Sequence, residues 1–324
     1  MSRERFTLFA WSTLGFTLLV ILWGAVVRAT GAGAGCGSHW PLCNGEVVPQ
    51  APATETLIEF THRLTSGVAL LLAVALLIFA CKLFPRGEYP NGHRVRTAAW
   101  WTMIFMLGEA AVGAMLVLLE LVADNQSIAR AWVMALHLIN TFLLLGAMTL
   151  TAWWAGGGPA MAWNHPDAKR RALRPWMIAT IVGTLLIGAT GAIAALGDTL
   201  FPPTDLATEM REKFDGSAHI LKQLRIFHPL VAVLVSLLTL HMIGRIRETR
   251  APKLARRWAT RLNLLVLGQL ALGTINVLLL APVYMQLIHL LVADALWIAL
   301  VLTCAAALAV DDTGVDKAVV PDGA

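Results

Sequence analysis

Four histidines, His62, His137, His228 and His289, each fall within about two turns of the same end of a hydrophobic stretch, and they divide two and two between similar halves of the chain. A buried imidazole costs free energy unless its ring nitrogens find partners, so four of them at one membrane depth call for a shared occupant. Iron porphyrin meets that requirement. One histidine on each of two facing helices gives axial ligation of a heme iron, and two such pairs give two hemes. A lone histidine is more often a packing residue, but repetition in register weighs against that reading. Zinc or copper would want three or four ligands close together, and these residues come in pairs. The other five histidines have no such pairing: His93 and His165 lie in basic loops, His39 and His219 in loops at the opposite face, and His241 stands alone. They read as surface or packing residues.

The elements that carry these residues follow from composition. With 57% hydrophobic and 14% charged residues, the 324-residue chain has too little polar surface for a soluble globule. It reads as an all-α integral membrane protein. Eight apolar stretches are long enough to cross a hydrocarbon core as helices, at roughly 8–28, 56–83, 98–122, 131–154, 175–196, 226–244, 262–280 and 286–310. Lys and Arg concentrate in loops kept in the cytoplasm, and with the N-terminus inside, eighteen of the twenty-five lie inside. They include Arg94 and Arg96, the run Lys169, Arg170, Arg171 and Arg174, and the stretch from Arg245 to Arg261. The seven outside are Arg28, Arg63, Arg130, Arg211, Lys213, Lys222 and Arg225. The expectation is a multi-pass protein of the cell membrane with both termini cytoplasmic and the four histidines near the outer face. The net charge of +5 calls for no nucleic acid.

The basic Ser2 to Arg5 segment before the first stretch resembles the start of a secretory signal, but the apolar run of about 20 residues exceeds a signal core and Gly33 lacks the bulk of a lipoprotein cleavage box, so the first helix is expected to be retained. Cys36 and Cys43 share the next outer loop, where a disulfide would persist. Their segment matches neither a zinc knuckle nor a CxxC redox pair, which leaves a structural and a redox-active disulfide both open. Cys81 and Cys304 read as apolar packing residues.

The halves repeat one phrase. Leu107-Gly108-Glu109 with Gly113 matches Leu267-Gly268-Gln269 with Gly273; Phe60-Thr61-His62 matches Ile226-Phe227-His228; Leu136-His137-Leu138 matches Ile288-His289-Leu290. An even number of helices per copy relates the copies by an axis along the membrane normal. The fold expected is two pseudo-symmetric four-helix bundles, 1–168 and 169–324. The halves then differ where chemistry would need them to. Glu59 precedes His62 by three residues and shares its helix face, whereas Arg225 holds the matching place before His228. A carboxylate at this depth is a functional candidate, with an ion pair to Arg63 or Arg28 as the structural alternative; Arg225 would suit a heme propionate. Glu109 and Gln269 are explained by hydrogen bonding between helices. Gly31-Ala32-Gly33-Ala34-Gly35 opens no βαβ unit and reads as a flexible outer turn. The loop from Gly197 to Leu224 is expected to carry a short interfacial amphipathic helix that could cover a heme edge, and the acidic tail after Val310 receives no role.

On Glu59-Phe60-Thr61-His62-Arg63, the Cys36 to Cys43 loop with Trp40-Pro41-Leu42, and the four histidines in two halves, the chain resembles the heme A synthase family nearly end to end. That resemblance implies an oxidoreductase that converts heme O into heme A for terminal oxidases. The family oxidises a porphyrin methyl group to a formyl group by successive hydroxylations, with a gem-diol losing water at the end. It implies that His228 and His289 ligate the iron of a resident heme B, that His62 and His137 border the substrate heme O and its iron, and that Glu59 is the catalytic carboxylate. Heme O synthase and oxidase assembly become the expected partners, with an electron acceptor that the sequence does not identify. Some relatives carry a second cysteine pair in the other half, and this chain has none there. Two other classes remain: a diheme cytochrome b electron carrier, which needs the histidines but not Glu59, and a transporter, against which the outer placement of the histidines argues.

Overall fold

In hydrocarbon a backbone must satisfy its own N–H and C=O groups, so long apolar runs become helices. A computed structural model of the chain describes residues 1–85, 92–208, 211, 216–249 and 251–310; Lys213, Arg250 and the acidic tail lie outside them. Among the described residues eight helices are long and apolar enough to cross a membrane. They are α1 Arg3–Ala29, α2 Thr54–Leu83, α3 Gly92–Leu118, α4 Ile128–Ala155, α5 Arg174–Leu200, α6 Phe227–Glu248, α7 Lys253–Leu278 and α8 Val283–Ala307. The chain is an all-α, multi-pass membrane protein.

The helices overrun the apolar stretches at their basic ends. The seventh begins at Lys253 instead of 262, and the sixth continues to Glu248. Lys and Arg are good helix formers whose stems lie along apolar surface, so a reading based on hydropathy stops too early there. Local chemistry sets the starts: Ser2 and Ser127 accept the N–H groups of Arg5 and Arg130 at 3.3 Å, and α5 carries Pro175 at its opening. Pro229 sits in the first turn of α6, where its missing N–H costs nothing.

The ends of α3 and α7 are alike in detail. Glu120 and Leu280, each eleven positions beyond the paired Glu109 and Gln269, adopt left-handed φ values of 53° and 61°. The next residue then donates five positions back, Leu121 to Leu116 at 2.8 Å and Ala281 to Asn276 at 2.7 Å. This is a left-handed helix stop made without glycine, at a cost of roughly 1–2 kcal/mol in each case.

Packing closes α1 to α4 into one ring of neighbours and α5 to α8 into another, with α1 and α4 facing α5 and α8 across a seam. Several buried threonines in the helices return their hydroxyls to the preceding turn, as Thr17 does to Thr13 at 2.9 Å and Thr239 to Val235 at 2.7 Å. At the centre of the seam Phe142 of α4 stacks on Trp297 of α8 with ring centres 5.3 Å apart, and the indole donates to the Phe142 carbonyl at 2.5 Å. Gly188 of α5 makes room for that ring, since a Cβ there would lie 2.9 Å from Phe142.

Each end of the seam is fastened as well. At the histidine end Arg28 of α1 donates to the Ala195 carbonyl at 2.7 Å and the Thr199 hydroxyl at 2.5 Å on α5, and to Gln286 of α8 at 2.8 Å. At the other end the segment between α4 and α5 straps onto the end of α8: β1 (Ala160–Met161) pairs antiparallel with β2 (Ala309–Val310), and Arg170 donates to the Ala307 carbonyl at 2.8 Å. Asp167 caps the four-residue helix Ala168–Arg171 by accepting the Lys169 and Arg170 N–H groups, which hold its carboxyl below the usual range.

Candidate functional site

The even-numbered helices all carry their histidine in the first three turns: His62 on α2, His137 on α4, His228 on α6 and His289 on α8. What an odd-numbered helix puts against each ring decides where that ring can sit. Gly24 of α1 lies under His62 and Gly191 of α5 under His228; an added Cβ would come within 2.9 Å and 3.0 Å of the respective Cε1 atoms. Gly273 of α7 stands in the same relation to His289, at 3.2 Å. Gly113, its match on α3, has nothing within 4 Å. His137 is held differently: its Nδ1 lies 3.0 Å from Glu109 Oε2.

The rings of His228 and His289 face each other with centres 6.2 Å apart and planes at 84°. His228 Nδ1 approaches the Thr190 hydroxyl at 3.4 Å. Gln269 donates to the His289 carbonyl at 3.0 Å and lies 3.2 Å from His289 Nε2. His289 Nδ1 and His62 Nδ1 are buried with no hydrogen-bond partner among the described residues. No ring contact joins His62 to His137 among the described residues, so the two pairs are not built alike. No group of three or more His, Cys, Asp or Glu side chains is placed to hold a metal ion among the described residues.

Glu59 is 3% exposed, and its carboxylate is fully engaged. Oε1 accepts from Arg63 Nε at 3.1 Å and from the Arg63 terminal nitrogen, while Oε2 accepts the Cys36 N–H at 2.8 Å. The ion pair with Arg63, weighed above as the structural alternative, is therefore present. Arg63 reaches further, donating to the carbonyls of His39 and Leu42 at 2.6 Å each. Glu59 and Arg63 together fasten the outer loop onto α2, one turn from His62. That loop is closed by the Cys36–Cys43 disulfide, both of whose cysteines are buried. Trp23 of α1 holds the same turn of α2 through Ile58 and Thr61 at 3.2 and 3.1 Å.

The glycine-rich segment before Cys36 is not the flexible turn expected from its composition. Residues Ala32–Ala34 form a 3₁₀ turn, Thr56 donates its hydroxyl to the Gly35 carbonyl at 2.8 Å, and a Cβ on Gly35 would sit 2.5 Å from the Glu55 backbone. Glycine serves close approach here, not freedom. In the outer loop of the second half the described residues include the short helix Ile220–Leu224, whose Leu221 is buried against Ala131 and Leu196. His219 caps it by accepting the Leu221 N–H.

Arg225 is 3% exposed and committed within the protein, pairing with Asp198 at 3.3 Å and donating to the carbonyls of Gly197 and Phe201. Of the remaining histidines, His165 bonds the Ala309 carbonyl at 3.2 Å and His241 packs on Trp176 at 4.3 Å, whereas His39 and His93 are exposed. Cys304 is buried and Cys81 partly so, neither in a disulfide. Sequence reasoning missed Asp294 of α8, which is 0% exposed with both oxygens unpartnered among the described residues. The signal was available as a lone carboxylate inside an apolar run. It also missed the glycines under the rings, which no spacing rule within one helix reveals.

Residues 7–301 match the model of the COX15-CtaA family, described as cytochrome oxidase assembly protein. Proteins from two strains of Thermus thermophilus, both named protoheme IX farnesyltransferase, are 45% identical over 305 residues, 94% of this chain and 49% of theirs. The chain thus spans about half the length of those relatives. A protein named heme A synthase from Bacillus cereus strain AH187 is 44% identical over 97 residues, 30% of each chain.

Proposed function

This chain belongs to the COX15-CtaA family of cytochrome oxidase assembly proteins, and from that premise we propose that it is a heme A synthase, oxidising a methyl group of heme O to a formyl group. The observation that carries the reading is the opposed pair His228 and His289. Two imidazoles on either side of one metal ion, each bonded at about 2 Å, have ring centres roughly 6 Å apart, and these stand 6.2 Å apart. Buried ring nitrogens without partners at His289 and His62, and glycines that leave space only for the imidazole edge, support the same fit. We assign His228 and His289 to a resident heme B and His62 and His137 to the substrate heme O. When bound, heme B would supply an electron acceptor for the oxidation.

The chain's own residues divide the remaining work. Glu59 lies one turn from His62, where its carboxylate can take a proton from the reacting centre or balance developing positive charge. Arg63 restrains that carboxylate from one side and the Cys36 N–H from the other, so its position is set before substrate arrives. The disulfide loop lies over Glu59 and limits the entry of water. The two halves, 1–168 and 169–324, are read as copies of one four-helix unit; the matched ends of α3 and α7 and the matched glycines Gly24 and Gly191 support this. The Lys and Arg distribution supports a cell-membrane protein with cytoplasmic termini.

The Thermus relatives support a partner. Each carries this chain's homologous region in half of a protein named for the farnesylation of protoheme, which points to a heme O synthase as the neighbour that delivers substrate within the membrane. Terminal oxidase assembly is the destination that the family description supports.

The test is expression beside a source of heme O, with extracted-heme chromatography. Glu59→Ala should keep its Soret band while heme A formation falls by about 10²- to 10⁴-fold, the usual contribution of acid–base catalysis. Unchanged product would leave the diheme electron carrier as the better account.

A further inference from the structure

Glu109 and Gln269 hold matching positions on α3 and α7, yet they meet their histidines in opposite ways. Glu109 Oε2 lies 3.0 Å from His137 Nδ1. Its other oxygen accepts from Asn140 Nδ2 at 2.6 Å, and the Thr141 hydroxyl donates across both oxygens at 3.1 and 3.2 Å. Asn140 is itself fixed by donating to the Phe105 carbonyl at 2.8 Å. The carboxylate is thus locked by two donors from the helix that carries His137, with Oε2 standing beside that ring's Nδ1. In the second half Gln269 presents an amide N–H₂, a donor, to the His289 carbonyl and ring, and its own oxygen is buried without a partner among the described residues. Val292 and Ala293 stand where Asn140 and Thr141 do, so nothing there could lock a carboxylate.

A carboxylate that accepts the Nδ1–H of an imidazole fixes its tautomer, leaves Nε2 as the free nitrogen, and makes Nε2 a stronger donor to a metal. Stronger donation favours the oxidised metal. An amide donor gives no such support.

We propose that Glu109 is a positioning residue that directs His137 Nε2 toward the substrate porphyrin and holds the first-half iron at a lower reduction potential than the second-half iron. Transfer of electrons from the oxidation site to the second half is then downhill, and the sign of that driving force is written in one Glu/Gln difference. The inference rests on the heme reading above.

Redox titration of the purified full chain reconstituted with hemin, followed in the Soret and α bands, tests it. Glu109→Gln should raise the potential of one of two waves by about a tenfold change in the oxidised-to-reduced ratio, about 59 mV for one electron, and leave the other in place. Gln269→Glu should lower the other wave. The second variant keeps the proposal open to refutation if the first fails to fold. Two hemes bound with neither wave moved by either variant overturns the role of Glu109 while leaving the heme reading intact. Wild-type protein that takes up no hemin overturns both.

Discussion

A glycine that seats an imidazole is tested by giving it one methyl group. Gly24→Ala would place a Cβ 2.9 Å from the His62 ring and Gly191→Ala one 3.0 Å from the His228 ring, so each should displace its histidine. We expect either variant to lose heme from its own half, read as a drop in heme per protein, with helical circular dichroism unchanged. Gly113→Ala, with nothing within 4 Å, should bind as the wild type does and serves as the control. The histidines themselves were legible in the sequence because a polar ring in an apolar run is costly and conspicuous. The glycines were not, because their neighbours lie on another helix dozens of residues away. Glu59 falls between: its ion pair with Arg63 follows from helical spacing, whereas the N–H it accepts from Cys36 depends on how the outer loop folds back.

Helices were legible as long apolar runs, and their basic ends were not, since hydropathy is blind to Lys and Arg that continue a helix toward the surface. The left-handed stops at Glu120 and Leu280 were hidden for a related reason: stops of this kind are usually read from glycine, and neither position has one. At this scale α1 matters beyond its own bundle, because Arg28 ties it to α5 and α8. Arg28→Ala breaks three hydrogen bonds of a charged donor, worth about 1.5–3 kcal/mol each when buried. We expect a clear fall in the thermal midpoint in detergent. Gln286→Ala removes one acceptor and should cost less. Equal midpoints for wild type and Arg28→Ala would mean that the seam is held by packing alone.

Among the described residues eight helices are long enough to span, and an even number of crossings would put Arg3 and Val310 on one side of the membrane. Protease protection of terminal tags in sealed vesicles should give both ends the same accessibility, on the cytoplasmic side if the Lys and Arg distribution sets orientation. The repeated phrases around the histidines suggest a division into two units of four; the contacts between α1 or α4 and α5 or α8 have no such signal, because they join side chains far apart in sequence. Arg28 fastens that seam at one end, the strand pair and Arg170 at the other, and the Phe142–Trp297 stack fills the middle. Such a joint opposes parting of the halves at three levels. Two iron centres carried on it would keep a constant separation, and since electron tunnelling weakens steeply with distance, its rate would be a fixed property of the chain, indifferent to the viscosity of the surrounding lipid.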